Sequence, residues 1–309
     1  MSRTTDLLSD AGFGAGWRLV RLLPAKMADA LFAAGGDIAA VRGGAGVSQL
    51  RRNLRRVVPQ AGDDELDELT KKAMRSYARY WQEAFRLPVL NHARFAERFG
   101  AGVEGKENLE AALRDGNGAV LALPHSGNWD AAGVWIVQYF GAFSTVAERL
   151  KPESLYRRFL AYREALGFEV LPLGGGARVL VSLTKRLRAN GIVCLLADRD
   201  LTRSGQPVTF FGEPTRMPSG PAWLAARTGA ALLPVTTWFT DEGWGMRIHP
   251  RIRVNDRDEI ASATQHLADV FAGDIAAHPA DWHMLQKLWL ADLDEATRHD
   301  LDTADASES

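Results

Sequence analysis

At 309 residues the chain is long enough to bury a sizeable core, and its 46% hydrophobic and 24% charged content excludes a disordered polymer. A formal net charge of −1 excludes a global electrostatic pull towards nucleic acid or a membrane surface. The single cysteine, Cys194, excludes an internal disulfide framework and a multi-thiolate metal site, which suits a reducing compartment.

The charge is unevenly spread. Residues 1–60 hold nine Arg/Lys against four Asp/Glu, a local +5, so the remainder carries −6. Met1–Asp10 has charges but no apolar core before a small-residue cleavage site, so no signal peptide is expected there. The first hundred residues then read as helical. Phe13, Trp17, Val20, Leu23, Met27, Leu31 and Phe32 form an apolar stripe, interspersed with Arg18, Arg21 and Lys26 and broken near Pro24. A second helix is expected over 47–58, where Arg51, Arg52, Arg55 and Arg56 surround Leu50, Leu54 and Val58. A third is expected over 63–86, with acids in its first turn and Leu66, Leu69, Met74, Tyr77, Trp81 and Phe85 at helical intervals. Basic amphipathic helices with aromatic residues can lie in a membrane interface. They can equally pack on a core and expose their arginines, and the pattern leaves both open.

From about Gly102 the pattern alternates between strand and helix. Strands are expected over 119–123, 169–173, 192–197, 207–211, 231–239 and 246–254. Helices are expected over 129–140, 153–166, 177–189, 219–228, 259–277 and 282–291. Strands separated by helices predict an α/β fold: a central mixed, largely parallel sheet flanked by helices on both faces. The uncharged run Ala131–Ala147 is 17 residues long and contains Gln138, Ser144 and Thr145. A spanning helix wants about 20 predominantly apolar residues, so this run reads as a buried helix and the loop after it. Cys194, inside the apolar run 192–197, reads as a small core residue. From Asp292 onward seven acids stand against one arginine, which predicts a disordered tail. With neither internal repeats nor a long linker, the expectation is one domain over 1–291. Its basic helical part (1–100) precedes an α/β core (102–291), and the acidic tail is 292–309.

Chemistry concentrates first at Pro124-His125-Ser126-Gly127-Asn128-Trp129-Asp130, between the strand 119–123 and the helix 129–140. Open α/β sheets carry reactive groups outside the carboxyl ends of their strands. Gly127 lets the chain turn sharply, and such a turn can bring Asp130 against one imidazole nitrogen. That would leave the other nitrogen of His125 to take a proton from a hydroxyl. The helix start also offers backbone N–H groups to a developing oxyanion. No Gly-x-Ser-x-Gly elbow surrounds the histidine, so this is a base without a nucleophile of its own, which fits direct transfer of a group to a substrate hydroxyl. The alternative is that Asp130 only caps its helix.

Three other places can serve the same cleft: Glu148-Arg149-Leu150-Lys151, the helix carrying Arg157, Arg158 and Arg163, and Asp198-Arg199-Asp200 directly after the strand 192–197. Parallel strands present their carboxyl ends on one side, so the charges at 198–200 are well placed to face the same cleft as His125. These residues can orient the histidine, hold phosphates, bind a polyol, or simply pair with one another. Phe210-Phe211-Gly212 and 215–221 read as an apolar loop before a helix start, either lining a lipid groove or forming a packed turn. His92, His249, His266, His278, His283 and His299 show no metal-ligand spacing. Gly174-Gly175-Gly176, between strand and helix, can hold a phosphate, though three glycines are a weak signal.

Together the pieces resemble the lipid A biosynthesis acyltransferase family. The resemblance rests on His125–Asp130, Asp198-Arg199-Asp200, Phe210-Phe211-Gly212, Pro218-Ser219-Gly220-Pro221 with Thr228-Gly229-Ala230, and the closing His278-Pro279-Ala280-Asp281-Trp282-His283. The order matches, and the likeness runs from about Trp17 to Leu290. Within the family, segments 148–159 and 281–290 look most like the actinobacterial phosphatidylinositol mannoside acyltransferases. One departure is Asp198, where that subgroup is expected to carry glutamate: the charge is kept and the reach is shorter.

The resemblance implies a peripheral enzyme on the cytoplasmic face of the cell membrane, contacting it through the N-terminal helices. It implies transfer of a long, palmitoyl-like acyl group to a mannose hydroxyl of phosphatidylinositol mannoside, with acyl-CoA as co-substrate and no resident cofactor or metal. It implies His125 as general base, Asp130 as the motif's acid, and Glu148, Arg163, Asp198 and Arg199 as cleft residues, with Ser126 and Asn128 beside the substrate. The rival expectations are transfer to another lipid or glycerophosphate acceptor, an acyl-CoA thioesterase, and a non-catalytic lipid-binding protein.

Overall fold

The apolar runs Ala119–Leu123 (β2), Ile192–Leu196 (β5) and Ala231–Phe239 (β8) form the middle of the sheet in the computed structural model. Runs of this kind suit parallel strands covered on both faces. The described residues are 20–147, 153–173, 176–200, 202, 204–295, 297 and 301, without the side chains of 154 and 155. Among them a seven-stranded sheet has the order β1-β9-β8-β2-β5-β3-β4. The remaining strands are β1 (Val103–Glu104), β3 (Phe143–Ala147), β4 (Glu169–Pro172) and β9 (Trp244–Ile248). Only the β8–β9 pair is antiparallel. The expected mixed, largely parallel sheet is therefore present.

Alternation along β2 divides the core in two. Leu121 and Leu123 join Trp135, Ile136, Phe143 and Phe99 on one face, while Val120 and Ala122 join Leu187, Leu224, Phe271 and Trp289 on the other. The first face is covered by α3 (Asp63–Arg86), α4 (His92–Gly100) and α6 (Trp129–Phe140). The second is covered by α8 (Ala177–Arg188), α9 (Gly220–Thr228) and α10 (Ile260–Ala277). Before them stand α1 (Ala25–Arg42) and α2 (Ala45–Val57); α5 (Lys106–Arg114) and α7 (Glu153–Ala165) complete the helices used below. Pro24 precedes α1, as its position in the pattern predicts. Phe13 and Trp17 of the expected first stripe lie outside the described residues.

Three expectations are corrected. The segment 282–291 is not a helix but an irregular strap between two 3₁₀ turns, Pro279–Asp281 and Leu290–Asp292. Its apolar side chains imitate helical spacing, yet Trp282, Met284, Leu288 and Trp289 are buried over a hairpin. In that hairpin β6 (Gly205–Phe210) meets the strand expected over 207–211, while β7 (Glu213–Pro218) stands where the sequence reads as a loop before a helix start. Asp292, where the acidic tail was expected to begin, is packed: it accepts hydrogen bonds from both Arg56 terminal nitrogens and from Gln49.

Candidate active site

Register builds the site. β2 and β5 run parallel with Leu123 opposite Leu196, so the residues that follow each strand emerge side by side. Ala197 N–H still bonds to Leu123 O at 2.8 Å, and His125 and Asp198, just beyond these two strand ends, are the residues that meet. His125 Nδ1 lies 2.6 Å from Asp198 Oδ1, and the His125 backbone N–H donates to Asp198 Oδ2 at 2.9 Å. The Trp282 indole N–H donates to the same Oδ2 at 3.1 Å. Asp198 is fully buried. Burial alone would raise its carboxyl, but the imidazole charge, its hydrogen bond, the His125 N–H and the Trp282 N–H outweigh that and hold it below the ordinary carboxylate range. The ring of His125 stays about one third exposed.

The strap holds this loop from behind. His283 N–H donates to His125 O at 2.7 Å, and Gly127 N–H donates to Asp281 O at 2.8 Å. Gly127 has φ +53°, and a Cβ there would sit 2.6 Å from the Thr237 carbonyl carbon, so the turn needs glycine for both conformation and space. Thr237 Oγ1 donates to Ser126 O at 2.6 Å.

Asp130 sits in a different network, which corrects the expected contact between Asp130 and the imidazole. On the first turn of α6 it faces α3 and α7: Arg163 Nε donates to Oδ1 at 3.1 Å and Tyr80 Oη to Oδ2 at 3.1 Å. Burial alone would lower Arg163, but the Asp130 charge outweighs it and raises the guanidinium above its ordinary value. Asp130 is thus half of a buried ion pair joining three helices.

The other expected residues divide. Asn128 is buried and spends its carboxamide on structure: Oδ1 caps α6 at Ala131 N (2.9 Å) and Nδ2 donates to Glu83 Oε2 (2.7 Å). Ser126 is buried, and its Oγ has no hydrogen-bond partner among the described residues. Arg199 donates to Lys287 O of the strap at 2.8 Å. Glu148, Arg149, Lys151, Gly174 and Gly175 lie outside the described residues. Arg51 and Arg55 pair with Asp63 and Arg56 with Asp292, so these three arginines of α2 are engaged within the chain.

Sequence reasoning assigned no role to Trp282, to His283 or to the helix α3 that backs them. Ser76 Oγ on α3 bonds to Asp281 Oδ1 at 2.6 Å and to His283 Nε2 at 2.9 Å. Burial, with the neighbouring His125 charge, pulls His283 down to about 3, so it is neutral at ordinary pH. The only sequence signal for these residues was the His278–His283 run in the family pattern.

Beside the histidine, an apolar cavity runs between the sheet and α6. Leu121, Leu123, Ile136, Phe143, Phe168 and Cys194 line it, with Asp130 and Arg163 at its polar part. Trp129 also lines it and packs edge-on against the His125 ring, centroids 5.6 Å apart. Cys194 is a cavity-wall residue whose thiol burial pushes up, away from reactivity. Among the described residues there is no metal-ligating cluster, and no helix is long and apolar enough to cross a membrane.

A strand-end histidine, a buried carboxylate behind it and an apolar cavity alongside make up the candidate site. The family model described as "Bacterial lipid A biosynthesis acyltransferase" matches residues 10–291. A protein of Mycolicibacterium smegmatis named phosphatidylinositol mannoside acyltransferase is 57% identical over 297 residues, covering 96% of each chain. One of the same name from Mycobacterium tuberculosis is 54% identical over 301 residues, covering 97% of this chain and 94% of its own. The chain belongs to the bacterial lipid A biosynthesis acyltransferase family, and is an acyltransferase.

Proposed function

We propose that the enzyme transfers a long acyl group from acyl-CoA to a mannose hydroxyl of phosphatidylinositol mannoside, with His125 as general base. The observation that carries this is the His125–Asp198 pair. A carboxylate on Nδ1 fixes the tautomer and leaves Nε2 as the proton acceptor, on a ring that is about one third exposed and packs against Trp129 of the apolar cavity wall. The acceptor assignment rests on the names of the two relatives.

His125 Nε2 removes the hydroxyl proton as the sugar oxygen attacks the thioester carbonyl. The C–O bond forms, the tetrahedral oxyanion collapses, the C–S bond breaks, and the imidazolium returns the proton to the coenzyme A thiolate. Gly127 N–H is already engaged by Asp281, so the Asn128 N–H at the start of α6, or an arginine, is the proposed oxyanion donor. The acyl chain is assigned to the apolar cavity, with Arg163, Arg199 and Glu148 as cleft residues and Ser126 near the acceptor.

The enzyme is proposed to work as one domain over 1–291, peripherally on the cytoplasmic face of the cell membrane. Supporting this, α1 is apolar on two sides. Ala28 and Gly36 are buried, while Met27, Leu31, Ile38 and Val41 recur every three to seven residues and are all more than half exposed. An exposed apolar stripe of this kind suits an interfacial helix.

The deciding experiment incubates purified protein with radiolabelled palmitoyl-CoA and phosphatidylinositol mannoside, beside His125→Ala. Label in the glycolipid, lost by about 10²- to 10⁴-fold in the variant, is the expected result. Fatty acid release that no acceptor diverts would make the protein a thioesterase. Near-normal transfer by His125→Ala would remove the histidine from the chemistry.

A further inference from the structure

The strap 281–292 touches both members of the reacting pair, Asp198 through Trp282 and His125 through the His283 backbone. Its backbone takes one hydrogen bond from Gly127 and gives one to His125 O, and Ser126 forms a single β-bridge with Trp282. Trp282 is fully buried, so its indole N–H is costly to leave without a partner, and that partner is Asp198 Oδ2 at 3.1 Å. Asp198 has two oxygens and three donors within reach. His125 N–H and Trp282 Nε1–H converge on Oδ2, which leaves Oδ1 to the imidazole at 2.6 Å.

The strap is anchored independently of the motif loop. Buried Asn53 of α2 donates its Nδ2 to both Met284 O at 2.7 Å and Gln286 O at 2.9 Å. Arg56, one helical turn on, meets Asp292 with two nitrogens, reaches Glu213 of β7 at 2.9 Å, and lies 4.5 Å over the Trp289 ring. Trp289 N–H in turn donates to Phe210 O of β6 at 2.9 Å. A carboxylate held this way has one of its three hydrogen bonds fixed from outside the motif that carries the base.

We propose that Trp282 is a positioning residue for acyl transfer: it acts through Asp198, using its indole N–H to occupy Oδ2 and present Oδ1 to His125, on a strap anchored by Asn53 and Arg56. This rests on the reading of His125 as the base. Losing the N–H leaves Asp198 with one fewer stabilising donor, which makes it more basic. The His125–Asp198 pair then holds its proton more tightly, and activity needs a higher pH. His283 of the strap also interacts electrostatically with the imidazole, and it is neutral at ordinary pH. Asp130 and Arg163 are paired with each other.

The test measures kcat and KM for acyl transfer across pH for the full chain, Trp282→Phe, Asp198→Asn and the double variant, with His125→Ala alongside. Trp282→Phe is expected to lower kcat roughly 10- to 100-fold with KM nearly unchanged. It is expected to move the acid limb of the profile up by roughly half to one unit. In the Asp198→Asn background the same change adds little, because the carboxylate charge through which it acts is gone. An unmoved acid limb, or equal losses in both backgrounds, would overturn the proposal. Should Trp282→Phe fail to fold, replacement by the isosteric β-(3-benzothienyl)alanine keeps the ring volume, removes only the donor, and is judged by the same readouts. If His125→Ala keeps its turnover, the reading of the base falls. If that variant is inactive while the Trp282 variants behave as wild type, only the positioning role falls.

Discussion

Asp130 and Arg163 form a buried ion pair at 3.1 Å, and it is Asp198, 73 residues along the chain from His125, that meets the imidazole at 2.6 Å. The two carboxylates should therefore fail differently. Asp198→Asn is expected to cost about 10²- to 10⁴-fold in kcat with little change in melting temperature. Asp130→Ala leaves a buried guanidinium without its partner and should cost about 3–5 kcal/mol of stability. Thermal unfolding measured beside turnover separates them. An Asp130 variant that is inactive yet as stable as wild type would put that carboxylate in the chemistry.

Gly127 gives a second handle. At φ +53°, with the Thr237 backbone 2.6 Å from where a Cβ would lie, alanine has neither the conformation nor the room. Gly127→Ala should shift the turn by some tenths of an ångström and weaken the Gly127–Asp281 bond that ties the loop to the strap. Misplacement near 1 Å costs about 10²-fold in rate, so a kcat loss of about tenfold or more is expected. Full activity would mean that the turn geometry is not critical.

His283 gives the folded state a pH dependence. Its value of about 3 in the folded chain stands against 6.5 ordinarily, so between those limits the unfolded chain binds a proton that the folded chain refuses. This contribution is complete above about pH 6.5 and is lost as pH falls towards 3. It amounts to as much as about 1.4 kcal/mol per pH unit. Denaturant midpoints followed from pH 7 to 5, above the range of ordinary carboxylates, should fall more steeply for wild type than for His283→Gln. Equal slopes would contradict the buried, neutral histidine.

The exposed face of α1 makes a prediction about lipid. Replacing Met27, Leu31, Ile38 and Val41 with serine should weaken co-sedimentation with anionic liposomes while leaving the melting temperature nearly unchanged, since these side chains are more than half exposed. The apolar area lost sets the scale, at about 25 cal/mol per Å² removed from the interface. Undiminished liposome binding would contradict a lipid-contacting role for this face.

The central elements were legible because local pattern decides them. Ala119–Leu123, Trp129–Phe140 and Ala231–Phe239 have the extents their apolar runs and flanking glycines predict. The strap was misread because Trp282, Leu285 and Trp289 repeat at helical intervals, while the burial that uses them comes from the hairpin and α2. The short elements β1, α4 and α5 also escaped the pattern. β1 is only two residues long and is defined by its pairing with β9.

By itself the sequence determined that a histidine would stand at a strand end, ahead of a capped helix with an acid in its first turn, and that the chain resembles an acyltransferase family. The sequence left two carboxylates, Asp130 and Asp198, as candidate partners for that histidine. Only the tertiary structure decided between them. Parallel pairing in register brings the ends of β2 and β5 together, and packing of α6 against α3 and α7 turns Asp130 towards Tyr80 and Arg163. A carboxylate goes to the donors that packing brings within reach, and those donors come from distant segments of the chain.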